Sequence, residues 1–412
     1  VTAHDAAESL SYAQLLRRNR PYRHLWLSQV VSNTGDWFSS IAVLGLTLEL
    51  TDSGLALSLI MLCQMLPSFL MAPVAGVVAD RFDRKRVMIL ADLLRAVVAL
   101  GFLLVETPGD IWLIFLSAAL LSGFSPFFDA ARNATLPGIA HGGELLAANA
   151  LSSATWGLML TIGSAAGGLV AAKFGRPAAF ELNALSFLVS ALFVLRVFLP
   201  AGSGTGQPVR FFSDFVEGLR YIRHDAQTRV FLPVKATWGV AGGSAVLLYA
   251  VFGGQVFHAG DTGIAILYTA RGAGTLLGTL GMKLFPSPLL NHLRWGILAG
   301  LMGYGLSFVG VSFAPSLWVT ALFIMLSTGG SMVMWVFSSL GLQLVVHEGF
   351  RGRVLAADSG LFTLAFALST VSAGLLLEMV APRTVAWAVG VLGVAVSALW
   401  FYFVRRIPLP SG

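Results

Sequence analysis

Gly76-Val77-Val78-Ala79-Asp80-Arg81-Phe82-Asp83-Arg84-Lys85-Arg86 lies between two long apolar segments, and the reading of this stretch decides the fold. From Asp80 to Arg86 it holds two acids and four cations. A turn this charged joins membrane helices only at a water surface, so it fixes two helix ends and one side of a bilayer. The rest of the chain has the composition this requires: 56% of its 412 residues are hydrophobic and 11% are charged. Soluble domains carry about 25% charged residues. With a mean hydropathy of +0.80, the chain reads as a polytopic, all-helical membrane protein.

Twelve apolar segments are long enough to cross a bilayer, over residues 25–49, 54–79, 87–105, 111–131, 147–172, 178–199, 231–252, 263–284, 293–313, 317–345, 354–379 and 384–404. Lysine and arginine collect on one side of this arrangement, at Arg17 to Arg23, Arg81 to Arg86, Arg210 to Arg229, Lys283, Arg294, Arg351, Arg353, Arg405 and Arg406. The other side has Lys173, Arg176 and Arg383. By the positive-inside rule both termini and the Asp80 loop are expected to be cytoplasmic. The polar opening of the chain lacks the apolar core of a cleavable signal, so the first span is expected to insert and remain.

The net charge of +6 sits in short loops beside apolar runs, which is how topology is encoded rather than how nucleic acid is bound. Cys63 is the only cysteine, which excludes an intrachain disulfide and a cysteine-cluster metal site. The expected organisation is a cytoplasmic segment (1–24), a six-helix bundle (25–199), a cytoplasmic linker (200–230), a second six-helix bundle (231–404) and a tail (405–412). The linker opens as Ala201-Gly202-Ser203-Gly204-Thr205-Gly206, a flexible composition. Phe212, Phe215, Val216, Leu219 and Ile222 then fall at helical spacing, which predicts an amphipathic helix on the membrane surface. The halves echo one another, since Leu146-Ala147-Ala148-Asn149 entering the fifth span parallels Leu355-Ala356-Ala357-Asp358 entering the eleventh. Parallel six-helix repeats place transport sites near the midplane.

The motif Gly76-x-x-x-Asp80-Arg81-x-x-Arg84-Lys85-Arg86 resembles the signature loop of the major facilitator superfamily, with Asp83 where many members have glycine. The resemblance implies the twelve-helix, two-half major facilitator fold. It also implies that Asp80 and the following cations latch the cytoplasmic ends of the second and eleventh helices, with Arg351 and Arg353 beside the latch. Asn33-Thr34-Gly35-Asp36-Trp37, Ala131-Arg132-Asn133-Ala134-Thr135-Leu136-Pro137 and Ala148-Asn149-Ala150-Leu151 are similar to the bacterial branch holding enterobactin-type siderophore exporters and macrolide efflux proteins. Ile162-Gly163-Ser164-Ala165-Ala166-Gly167-Gly168 resembles the antiporter motif of the fifth helix, with Ser164 where proline is usual. Gly163, Gly167 and Gly168 also suit close helix packing on their own account.

Ionisable groups at bilayer depth are costly and mark functional paths. Asp36 lies near the middle of the first span, and Gln29, Asn33, Asp36 and Ser40 share one helix face. On the eighth span Tyr268, Arg271, Thr275 and Thr279 follow the same spacing. Asp36 is expected to be the proton-coupling or substrate site with Arg271 as its counterweight; Gln29, Asn33, Trp37, Ser40, Gln64, Tyr268 and Thr275 are expected to line the cavity. Asp92 and Arg95, Asp129 and Arg132 lie three apart in their helices and are assigned, with Gly76, Asp80, Arg81, Arg84, Lys85, Arg351, Arg353 and Asp358, to a cytoplasmic gate. Glu181 and Lys235 are expected to snorkel to the surfaces, and Asp358 to be a helix-terminus charge.

There is no His-Glu-x-x-His motif, phosphate loop or nucleophile elbow, so neither an enzyme nor a cofactor is expected. The sequence therefore predicts a secondary transporter of the bacterial cytoplasmic (inner) membrane, monomeric, working by alternating access with small-molecule substrate and protons as partners. Export of a large amphiphile such as a siderophore or macrolide is the leading reading. A lysophospholipid flippase is the alternative, and a transporter-like receptor that moves nothing a remote one.

Overall fold

The computed structural model describes residues 11–197, 225, 227–282, 290–347 and 350–407. The amphipathic helix expected around Phe212 to Ile222, and the side chain of Arg351, lie outside the described residues. The described elements are helical throughout. A short helix, Tyr12–Arg18, precedes twelve long ones: α1 (Arg20–Thr51), α2 (Gly54–Arg81), α3 (Arg84–Leu100), α4 (Ile111–Ile139), α5 (Gly143–Phe174), α6 (Arg176–Leu195), α7 (Pro233–Val251), α8 (Gly260–Gly281), α9 (Leu290–Phe313), α10 (Leu317–Val345), α11 (Arg351–Leu377) and α12 (Pro382–Val404). Ten of these stretches are long and apolar enough to cross a membrane. The two outside that set are α1 and α8, the helices that carry Asp36 and Arg271. Polar and charged side chains within them lower their hydropathy below that of the other long helices.

Local chemistry sets the helix ends. Asp83 caps α3 by accepting from the Arg86 amide at 2.8 Å, so the residue standing in place of the usual glycine starts the third helix. Gly175, at φ +82°, makes the turn between α5 and α6, with Pro177 in the first turn of the new helix. Pro67 interrupts the hydrogen bonding of α2, and a neighbour repairs it. The Ser122 hydroxyl of α4 accepts from the Ser68 amide at 3.2 Å and donates to the Gln64 carbonyl at 2.7 Å, bridging the turn that has opened.

The same helix pairs recur in both halves of the chain. α3 packs on α4 and α6, and correspondingly α9 packs on α10 and α12. α1 is joined to α5 by Tyr22 to the Ala148 carbonyl (3.0 Å), Trp26 to the Thr155 hydroxyl (2.8 Å) and Gln29 to the Ser152 carbonyl (3.3 Å). Its counterpart is the close packing of α7 on α11. α2 meets α4 through Ser122, and α8 packs on α10. Glycine permits the tightest contacts. A Cβ at Gly167 of α5 would come within 2.8 Å of the Phe38 Cα on α1, and one at Gly243 of α7 would collide with the Phe366 carbonyl on α11.

By contacts the chain forms two compact units, Val1–Val43 with Cys63–Val209, and Leu44–Leu62 with Arg210–Gly412. The second unit thus includes the hairpin between α1 and α2. Glu378 at the end of α11 accepts from the Ser53 hydroxyl at 2.7 Å and from the Leu55 amide at 3.1 Å, at the start of α2. These hydrogen bonds, the hydroxyl's first, hold the exposed Glu378 carboxyl below the ordinary carboxylate range. Gln255 donates to the Asp52 carboxylate at 2.7 Å in the same hairpin.

Candidate functional site

In the first unit the ionic centre is built by α1, α3 and α6. Arg95 of α3 donates through Nη2 to the Asp36 carboxylate at 2.8 Å, while its Nη1 lies 3.7 Å from Asp92 Oδ1 and 3.4 Å from the Ser32 hydroxyl. Asp92 accepts from the Ser190 hydroxyl of α6 at 2.6 Å, and the Phe187 ring lies 4.1 Å beneath the guanidinium. Two carboxylates therefore share one arginine, and their exposures differ. The Asp92 side chain is fully buried, whereas that of Asp36 is 37% exposed. Asp92 Oδ1 and Arg95 Nε have no hydrogen-bond partner. Gly35 lets this part of α1 approach α6, since a Cβ there would meet the Ser186 hydroxyl and Asn183.

The second unit is arranged differently. Lys235 of α7 and Asp358 of α11 form a 2.6 Å ion pair with side chains 9% and 1% exposed, and the ammonium lies 4.8 Å from the Trp335 ring centroid. This corrects two sequence expectations. Lys235 does not snorkel, because a carboxylate compensates it in place, and Asp358 stands in the eighth position of α11 rather than at its end. Glu181, by contrast, is exposed near the start of α6. Arg271 of α8 is part-buried, with its guanidinium 5.8 Å from the Tyr268 ring centroid. Among the described residues no carboxylate pairs with it.

The predicted face of α1 divides. Asn33, Asp36, Trp37 and Ser40 are part-exposed, but Gln29 is buried against α5 and serves the α1–α5 contact. Trp37 also packs on α5, where a Cβ at Gly163 would lie 2.9 Å from its Cβ. Gly168, one residue beyond Gly167, is buried. On α8, Tyr268 is buried against Tyr249, and Thr275 donates back to the Arg271 carbonyl at 3.0 Å. Gln64 lies in the α2 turn that Ser122 bridges.

Of the residues assigned to a gate, Arg84 donates to the Ala134 carbonyl of α4 at 2.7 Å, and Lys85 to the Leu195 and Val197 carbonyls at the end of α6 at 2.6 and 2.9 Å. These two cations therefore hold helix ends within the first unit. Asp80 is part-buried and Arg81 exposed, and around Gly76 there is open space. Asp129 and Arg132 form a partly exposed pair at 3.6 Å, and Arg353 lies 5.4 Å from the Phe350 ring centroid. Asp92 and Arg95 belong to the Asp36 centre. Sequence reasoning found each of these three charges but missed that α1 and α3 bring them together; an arginine within the third apolar span was the available signal.

Residues 11–411 match the family described as transmembrane secretion effector, within the major facilitator superfamily. The chain belongs to that family. This transporter is 29% identical to the MFS-type transporter YfiS of Bacillus subtilis (strain 168), over 89% of each chain. It is 26% identical to the multidrug efflux pump Tap of Mycobacterium tuberculosis over 84% of each. The crystal structure of a mutant of the nucleoside transporter NupG superposes with a TM-score of 0.76 at 13% identity, covering 94% of this transporter and 99% of that chain. That likeness gives the fold alone: a multi-pass, all-helical membrane protein of the major facilitator type.

Proposed function

We propose that this transporter is a proton-coupled exporter of a large, partly apolar small molecule, acting as a monomer in the bacterial cytoplasmic membrane. All twelve long helices span the bilayer, both termini face the cytoplasm, and two six-helix halves work by alternating access. Export accords with the efflux function in the name of the related pump Tap.

The observation that carries the coupling is the sharing of Arg95 by a part-exposed Asp36 and a fully buried Asp92. With both acids ionised, the centre holds one negative charge in excess at bilayer depth. A proton on Asp36 removes that excess and weakens its hold on Nη2. The guanidinium then turns toward Asp92 Oδ1, 3.7 Å away and without a hydrogen-bond donor. A proton is thus converted into a rearrangement of the α1–α3–α6 contact. At the end of α2, Asp80 and Arg81 carry the cytoplasmic gating, because Arg84 and Lys85 are engaged with helix-end carbonyls.

The test is flux in proteoliposomes under an imposed pH gradient, against a panel of siderophores, cationic drugs and lysophospholipids. Asp36→Asn is expected to abolish gradient-driven flux while leaving the protein folded. Full proton-driven flux in that variant would overturn the coupling role. Gradient-independent scrambling of lysophospholipid by the wild type would replace the exporter with a flippase.

A further inference from the structure

Among the described residues, the second unit holds buried and part-buried cations engaged by its own carboxylate or carbonyl groups, and Arg271, which is not. Lys235 is paired with Asp358 at 2.6 Å. Arg294 donates to the Arg405 and Ile407 carbonyls, and Arg383 to those of Ser312 and Ala314. Arg271 is in the middle of α8, and among the described residues its five N–H donors have neither a carboxylate nor a carbonyl. An arginine at the centre of a span is costly, so an unmatched one calls for an anion from elsewhere.

Its surroundings supply the rest of a site. The Tyr268 ring lies 5.8 Å from the guanidinium and meets the Tyr249 ring edge-on. The Tyr304 hydroxyl has no hydrogen-bond partner although the residue is only 1% exposed. A buried hydroxyl without a partner is costly, and it is a donor suited to an anionic oxygen. From Arg271 an aromatic series runs through the unit. Tyr268 meets Tyr249 at 5.7 Å between ring centroids, Tyr249 meets Phe308 at 6.2 Å, Phe308 meets Tyr304 at 5.1 Å, and Tyr304 meets Trp238 at 5.7 Å. Trp238 continues to Trp335 at 6.2 Å, beside the neutralised Lys235.

We infer that Arg271, with the Tyr304 hydroxyl, is the recognition site for the anionic group of an aromatic or amphiphilic substrate, whose apolar body lies along the Trp238 side of the series. The anion is a carboxylate, sulfonate or phosphate, for which a guanidinium offers paired, planar donors. Lys235 plays no such part because Asp358 already satisfies it. This deepens the exporter reading and rests on it: the second unit reads substrate charge, and the first handles the proton.

Two xanthene dyes of similar aromatic body and opposite charge, fluorescein and rhodamine 6G, separate the possibilities. Binding to the purified full-length protein in phosphatidylcholine nanodiscs is followed by fluorescence anisotropy. The wild type is expected to favour fluorescein by about tenfold or more. Arg271→Gln should abolish that preference without changing rhodamine affinity, and Arg271→Lys should retain part of it. Tyr304→Phe should weaken fluorescein by about threefold, the scale of one lost hydrogen bond. Competition by lysophosphatidylglycerol, lost in Arg271→Gln, supports the site and assigns the anion to a lipid headgroup. Competition by soluble aromatic carboxylates alone supports it and assigns a soluble substrate. Equal affinity for the two dyes, preference for the cation, binding of neither, or an unchanged preference in a correctly folded Arg271→Gln protein overturns the proposal. Arg271-dependent fluorescein binding in a protein that moves nothing under a pH gradient would break the exporter reading and leave the anion site standing.

Discussion

The ionic centres of the two units use similar side chains to opposite ends. Around α3, one arginine is shared between two acids of unequal exposure, leaving an unsatisfied carboxylate oxygen. Between α7 and α11, one lysine meets one aspartate at 2.6 Å and the charge is balanced. A closed pair holds helices together; under the proposed function, the shared arginine lets the other centre respond to a proton. The helix pairings recur in both halves, so this difference lies in side chains placed on a repeated scaffold.

The largest expected effect tests whether the Lys235–Asp358 pair is structural. Lys235→Met leaves Asp358 buried and alone, and should cost about 3–5 kcal/mol, read as a fall in thermal unfolding temperature in detergent. Lys235→Met combined with Asp358→Leu should recover most of that stability and retain transport. If the recovered double variant has lost proton-driven flux, the pair is a coupling element and the contrast between the units disappears.

In the first unit the same logic predicts the reverse outcome. Asp36→Asn by itself balances the charge, since Arg95 then faces the single acid Asp92, and the variant should fold yet lose pH-driven flux by about a hundredfold, some 2.7 kcal/mol in transition-state terms. Asp92→Asn should have a smaller effect, about tenfold in flux, because it removes the second seat for Arg95 while leaving the Asp36 contact. A variant of Asp92 as inactive as that of Asp36 would mean that the buried acid, not the exposed one, takes the proton.

The smallest effect belongs to the hairpin that joins the second unit. The Glu378 carboxyl is held below its ordinary range, so the ionised form is the one bound at Ser53 and Leu55. Its contribution is therefore present above the unfolded value of about 4.3 and is lost as pH falls through the lower folded value. Glu378→Gln should slightly lower thermal stability at pH 7 and flatten its decline below about pH 4. An unchanged acid limb would show that these hydrogen bonds add no measurable stability.

Much of the fold was legible because lipid imposes a simple rule. A segment of about 20 apolar residues must become a helix, as no water is present to satisfy an open backbone. The tenth segment, 317–345, matches α10 residue for residue, and most others differ by a turn or less. The extension of α4 to Ile139, past the expected end at 131, was less visible because Arg132 and Asn133 end the apolar run. Polar groups from adjacent chain segments sustain that last turn, including Arg84 at the Ala134 carbonyl. Of the candidate site, Asp36 and Arg271 stood out from cost alone. The partner of Asp36 did not, since spacing along α3 joins Arg95 to Asp92 but says nothing of α1.

The sequence by itself determined the membrane class, nearly every helix and the cost-bearing charges, because hydropathy and charge act locally and one residue at a time. Only the tertiary structure decided which charges meet. It brought Arg95 between Asp36 and Asp92, closed Lys235 on Asp358, and left Arg271 without an acid among the described residues. Pairing is decided across helices, where close approach at positions such as Gly35 and Gly243 sets which faces touch, and neither periodicity nor composition encodes that choice.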